Sequence, residues 1–229
     1  MDIDLQKIRA VIFDFDGTLY DNRNFPFWLI INNLRDTFVC NAERKVRKQM
    51  KGVDLDNAER FYNSFFSLLS DKTRFSEEEA KEWYWDTYME AFTEILNNHC
   101  TPYKDVEIVF SHLKKLGVAT AIYSDYPLVK ERVEALGLSS EICENYWAAP
   151  ELGAFKPAIR PMQEIATELG VSPNEMLIVG DRVDTDGKSA FAVGAQFIHI
   201  EKKKNKVEND EYVSLHWNEF VEFIQNWEY

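Results

Sequence analysis

Short apolar, β-branched runs alternate with stretches of helical period along this chain, and that alternation leaves few folds open. The clearest runs are residues 10–15 (AVIFDF), 118–123 (VATAIY), 175–179 (EMLIV) and 196–200 (QFIHI), with a weaker one at 146–149. Each is short enough for a buried strand and is bounded by turn residues. Helical patterns fill the gaps at 104–116, 127–136, 159–169 and 185–193, and four of them stop at Gly117, Gly137, Gly170 and Gly194, where a residue free to turn left-handed ends a helix. Strands separated by helices of this length imply an α/β fold, a doubly wound parallel sheet.

Residues 24–99 break the rhythm. They contain no convincing strand and three helical stretches, 26–50, 54–70 and 77–96. In the middle stretch Leu55, Ala58, Phe61, Tyr62, Phe65, Leu68 and Leu69 fall three and four apart, giving one apolar face suited to a small bundle. A core of residues 1–22 and 100–229 carrying an inserted helical unit, 23–99, follows. Trp28, Trp83, Tyr84, Trp85 and Tyr88 of that unit read as packing residues rather than a base-stacking platform. The charged run 202–210 (KKKNKVEND) reads as a solvated loop before a last helix at 217–227.

Charge and cysteine usage narrow the function. Acidic residues outnumber basic ones by 39 to 26, a net charge of −13, so the molecular field repels nucleic acid. It also repels phosphorylated metabolites, so a site using them must supply local positive charge from a metal, a lysine or backbone N–H groups. No run approaches the ~20 apolar residues of a membrane span, and the acidic opening MDIDLQK is unlike a secretory signal. Cys40, Cys100 and Cys143 are odd in number and widely spaced, which fits reduced packing residues in a cytoplasmic protein. His99, His112, His199 and His216 have no metal-ligand spacing.

Parallel sheets bind ligands at the carboxyl ends of their strands. The first strand runs into Asp14-Phe15-Asp16-Gly17-Thr18, and alternation along a strand sends Asp14 and Asp16 to one side. Two carboxylates there are tolerable around a cation, and an all-oxygen set suits Mg²⁺. The second strand ends at Ser124, whose hydroxyl can hold a phosphate oxygen beside a helix start or serve as a cap. Lys156 lies in a loop before a helix, with Pro157 barring it from helical conformation. After the strand at 175–179, Asp181, Asp184 and Asp186 follow within six residues, more acids than capping needs. Asp181 is the direct metal-ligand candidate and Asp186 is placed to hold metal-bound water. Asp184 and Arg182 either touch substrate or merely cap and pair.

The order strand-DxDGT, strand-Ser, loop-Lys, strand-GDxxxxD resembles the haloacid dehalogenase superfamily of aspartate-nucleophile phosphatases, across about 11–186. That resemblance implies a Rossmann-like sheet of order 3-2-1-4-5 with a cap inserted after the first motif. It implies that Asp14 is the nucleophile and a metal ligand, and that Asp16 is general acid, then base, and a ligand through its carbonyl. Ser124 and Lys156 would bind the phosphoryl group, Asp181 would complete the Mg²⁺ ligands, and Asp186 would support them. An acid at position 16 favours phosphate chemistry over dehalogenation. A phosphohydrolase acting on a small phosphorylated metabolite is the expected activity, with a phosphomutase or a silent phospholigand-binding module as alternatives.

Overall fold

Strand β1 (Ala10–Phe13) lies in the middle of the sheet, buried along its whole length, which its unbroken apolar run requires. β2 (Ala119–Ser124) flanks it on one side, followed by β3 (Asn145–Ala148), and on the other stand β4 (Met176–Gly180), β5 (Gln196–Ile200) and β6 (Val213–Leu215). The order is β3-β2-β1-β4-β5-β6, every pairing is parallel, and Val11 sits opposite both Thr120 and Leu177. These relations come from a computed structural model, which describes residues 3–202 and 211–228. The sheet matches the expected order and extends it by β6, whose three half-buried residues are too few to register as an apolar run.

The helices in chain order are α1 (Phe25–Asn32), α2 (Thr37–Met50), α3 (Ala58–Lys72), α4 (Glu77–Trp83), α5 (Glu90–His99), α6 (Val106–Lys115), α7 (Val129–Ala135), α8 (Ile159–Glu168), α9 (Lys188–Val193) and α10 (Trp217–Gln225). Helices α1 to α5 all fall between β1 and β2, where no sheet strand intervenes. The single helix expected over 26–50 is two. Asn33 leaves helical conformation at φ −123° and ψ 38°, and its buried side chain donates to Leu29 O at 3.0 Å. The stretch expected over 54–70 starts later, because Asp56 turns left-handed and Asn57 caps α3, accepting from Arg60 N at 3.0 Å. The stretch 77–96 is α4, a wide turn over Tyr84–Met89, and α5. The Ser76 and Glu79 capping box starts α4, with Ser76 N donating to Glu79 Oε2 at 2.7 Å and Glu79 N to Ser76 Oγ at 3.2 Å.

Phe61, Phe65 and Leu69 of α3 are buried, as the spacing predicts, whereas Leu55, Ala58, Tyr62 and Leu68 of the expected face are half-buried and Phe66, outside it, is buried against Tyr84. Trp83, Tyr84 and Tyr88 are core, and Trp28 stacks on His99 with ring centres 3.7 Å apart. The chain leaves the sheet and returns side by side, since Tyr20 and Pro102 form an antiparallel bridge and Tyr103 N donates to Leu19 O at 2.8 Å. Apart from Lys202, the expected 202–210 loop lies outside the described residues. The three cysteines are free, and no described helix is long and apolar enough to cross a membrane.

Candidate active site

The β1 ladder continues one residue past the strand, with Asp14 N donating to Val179 O at 2.8 Å, so the Asp14 side chain stands at the carboxyl edge beside the end of β4. Gly180 and Asp181 follow β4 directly. Asp14, Asp181 and Asp186 each offer a carboxylate oxygen, and these atoms lie within 4.8 Å of one another. Asp186 comes in close because position 180 is glycine: a Cβ there would lie 2.6 Å from Asp186 Oδ2. Lys156 Nζ joins the cluster, donating to Asp14 Oδ1 at 2.7 Å and to Asp186 Oδ1 at 2.8 Å, while Thr18 Oγ1 donates to Asp14 Oδ2 at 2.9 Å.

Burial pushes the Asp14 carboxyl well above its ordinary range; Lys156 opposes that, and Asp186, Asp181 and Asp16 add to it. Asp186 is raised for the same reasons, burial first. Burial disfavours the Lys156 ammonium, but Asp14 and Asp186 outweigh it and hold the lysine charged, well above its ordinary value. The cluster thus has too little positive charge of its own. Asp181 Oδ1, moreover, is buried with no hydrogen-bond partner. An orphan carboxylate oxygen among other carboxylate oxygens fits a small, hard cation such as Mg²⁺, which takes oxygen ligands and retains waters.

Asp16 goes elsewhere. The strand stops at Phe13, so alternation does not carry Asp16 to the side of Asp14, and the two side chains do not share one cation position as the spacing suggests. Its carboxylate accepts from Tyr20 Oη at 2.8 Å, from Ser124 Oγ at 3.0 Å and from Arg132 Nη2. Burial pushes the Asp16 carboxyl up, but the Arg132 charge and hydrogen bonds from Arg132, Tyr20 and Ser124 prevail and hold it below its ordinary range. Ser124, fully buried, also accepts from Tyr126 N at 3.1 Å and Arg132 Nη1 at 3.0 Å.

Residues 8–194 match the family model described as haloacid dehalogenase-like hydrolase. The chain belongs to the haloacid dehalogenase-like hydrolases. Among the relatives of this hydrolase, it is 28% identical over 180 residues to the putative pyrophosphatase PpaX of Clostridium perfringens, covering 76% of this chain and 75% of that one. It is 27% identical to the glyceraldehyde 3-phosphate phosphatase of Methanopyrus kandleri, covering 86% and 85%. In fold it resembles the crystal structure of 2-haloacid dehalogenase from Pseudomonas syringae pv. Tomato, at 16% identity and TM-score 0.68, covering 95% of this chain and 98% of that one.

Several residues of this hydrolase reach the site without announcing themselves in a motif. Arg132, fully buried in α7, lies on the stripe Val129, Arg132, Val133, Leu136; a charge inside an apolar i, i+3, i+4, i+7 stripe is the signal that marks it. Lys202 pairs with Asp181, and Asn22 Nδ2 donates to Asp16 O at 3.1 Å. From the helical insertion, Arg47 Nη1 donates to Asp125 O at 3.3 Å, with its guanidinium 3.7 Å from the Tyr126 ring centre and 4.2 Å from that of Phe155. Lys51 pairs with Asp184, which also accepts from Arg182 Nη2 at 2.9 Å, so Arg182 and Asp184 pair with each other. Asp54 takes Arg160 Nη2 at 2.7 Å. The insertion therefore docks on the loops that carry Asp125, Lys156 and Asp184.

Proposed function

We propose that this hydrolase is a Mg²⁺-dependent phosphomonoesterase that uses Asp14 as its nucleophile on a small phosphorylated metabolite in the cytoplasm. One observation carries the reading: the Asp14 carboxylate, steadied by Thr18 and Lys156, shares an oxygen cluster with Asp181 from the neighbouring strand. The phosphatase names of two relatives support the substrate class. So does the acid at position 16, where the dehalogenases of the superfamily carry none.

A lysine ammonium has three donors, and Lys156 spends two on Asp14 and Asp186. The third is left for a phosphoryl oxygen. Mg²⁺ held by Asp14, Asp181, the Asp16 carbonyl and waters ordered by Asp186 would supply the charge that lets a carboxylate anion approach a phosphate dianion. Asp14 then forms a bond to phosphorus while the bond to the leaving oxygen breaks, and Asp16 gives that oxygen a proton. In the second half Asp16 takes a proton from water as the water attacks phosphorus, releasing phosphate and restoring Asp14. The lowered Asp16 carboxyl described above suits this second, basic role. For the first step Asp16 must leave Arg132 and Tyr20, which also frees the Ser124 hydroxyl for a phosphoryl oxygen.

Purified protein with Mg²⁺ should hydrolyse p-nitrophenyl phosphate, and chelation or Asp14→Asn should abolish that activity. Full turnover by Asp14→Asn would defeat the mechanism. Screening sugar phosphates, nucleoside monophosphates and phosphoglycolate defines the substrate, and an isomerised phosphate among the products would identify a mutase instead.

A further inference from the structure

Lys202 follows the end of β5 by two residues, and β5 lies next to β4, so its side chain crosses the carboxyl edge of the sheet to reach Asp181. Its Nζ donates to Asp181 Oδ2 and, at 2.8 Å, to Asn22 Oδ1. The Asn22 amide donates in turn to the Asp16 carbonyl at 3.1 Å. The Lys202–Asn22 pair thus covers Asp181 Oδ2 and the Asp16 carbonyl, on two of the three residues that the metal reading assigns to the cation, and leaves Asp181 Oδ1 bare. Glycine makes the room. Gly17 stands at φ +93°, and a Cβ there would overlap Lys202 Nζ and lie 2.6 Å from Asp181 Oδ2.

We propose that Lys202 is a built-in counter-cation of the metal site, holding Asp181 while the site is metal-free and displaced by the incoming divalent ion. The proposal rests on the metal reading above. Among the described residues Asp14, Asp181 and Asp186 face one other ammonium, that of Lys156, so a second positive charge is favoured when no metal is bound. A dication on Asp181 repels the ammonium bonded to that same carboxylate, so the two compete for it. The backbone that carries the acid is held, because a ring nitrogen of His199, Nε2, lies 3.1 Å from the Asp181 carbonyl oxygen. Lys202 is therefore the partner that moves. A cleft of about 210 Å³ lined by Arg23, Tyr103 and His216 adjoins it and can receive the released side chain. The apparent metal affinity is then the intrinsic one multiplied by the fraction of molecules in which Lys202 has left Asp181.

Calorimetric titration with MgCl₂ of the purified protein, of Lys202→Met and of Arg23→Gln tests this. Arg23 lines the same cleft but pairs with Asp21, so it reports the effect of removing a nearby charge without touching Asp181. Lys202→Met should bind Mg²⁺ at least about threefold more tightly, with Arg23→Gln changing far less. Equal or weaker binding by Lys202→Met, or an equal gain in Arg23→Gln, overturns the proposal. Amine acylation of Lys202 in the unaltered protein, read by mass spectrometry, should rise when Mg²⁺ is added, and unchanged labelling overturns it as well. Absence of Mg²⁺ binding in all three proteins overturns the metal reading itself, and the proposal with it.

Discussion

The sheet edge and the helical insertion of this hydrolase both bury charge, and they meet the cost differently. At the sheet edge Asp14, Asp181 and Asp186 are packed together with Lys156 and Lys202, leaving more negative than positive charge and one orphan oxygen. In the helical insertion Glu43 is buried against Arg47, with their charged groups 3.7 Å apart and Tyr88 Oη donating to the carboxylate at 3.2 Å. Burial pushes the Glu43 carboxyl up to about 7, Arg47 and Tyr88 only partly opposing it. The insertion's acid can therefore discharge near neutrality. The sheet-edge acids cannot all do so if one of them is to attack phosphorus. Structural charge is expendable, whereas catalytic charge must be held against its own environment.

The strongest attempt to break this contrast is Asp14→Asn. Hydrolysis should fall by on the order of 10³-fold or more, because the nucleophile acts as part of a unit. The metal-free melting temperature should rise, since a carboxylate whose folded pKa lies above its unfolded value destabilises the fold at neutral pH. A lower melting point would show that the edge charges are balanced after all.

Arg132→Met is next in size, and it probes the guanidinium that holds Asp16 in place. It should slow hydrolysis of alkyl phosphates by about a hundredfold, as they need a proton on the leaving oxygen. The loss on p-nitrophenyl phosphate, whose leaving group needs none, should be much smaller. Equal losses on both substrates would reduce Arg132 to packing.

Glu43→Gln sharpens the other side. Between pH 4.5 and about 7 the folded protein holds a proton on Glu43 that the unfolded chain gives up, so stability falls as pH rises through that window. The amide should stabilise the protein at pH 8 by about 2 kcal/mol and flatten the pH dependence of chemical denaturation across the window. The smallest effect belongs to Asp184→Asn. The Asp184 side chain is 52% exposed and its carboxyl is lowered to about 2; burial is opposed there by bonds from Lys51 and Arg182. Its contribution is present above the ordinary aspartate range and lost as pH falls toward 2. Solvent screening should keep it below about 1 kcal/mol in a melting experiment.

The positions of Asp14, Ser124, Asp181 and Asp186 were legible because each ends or follows a strand, and strand ends are readable as apolar runs closed by turn residues, while Lys156 was marked by the proline after it in a loop before a helix. The direction of Asp16 was not, because it depends on where β1 stops, and a two-residue error in a strand end reverses the inference. Lys202 was hidden inside a run of lysines that resembles solvated sequence, although it stands just past β5, where strand-end reasoning applies equally. The breaks at Asn33 and Asp56 turn on single backbone angles, which periodicity does not encode.

The bridge between Tyr20 and Pro102 has a mechanical consequence. The five helices join the sheet through two chain segments that this bridge fastens side by side, so one segment cannot slide along the other without breaking it. Tyr20 belongs to that stem of paired segments and its hydroxyl grips Asp16. The base of the insertion and the Asp16 carboxylate are thereby joined through one side chain, so a change in the stem's geometry is felt at Asp16.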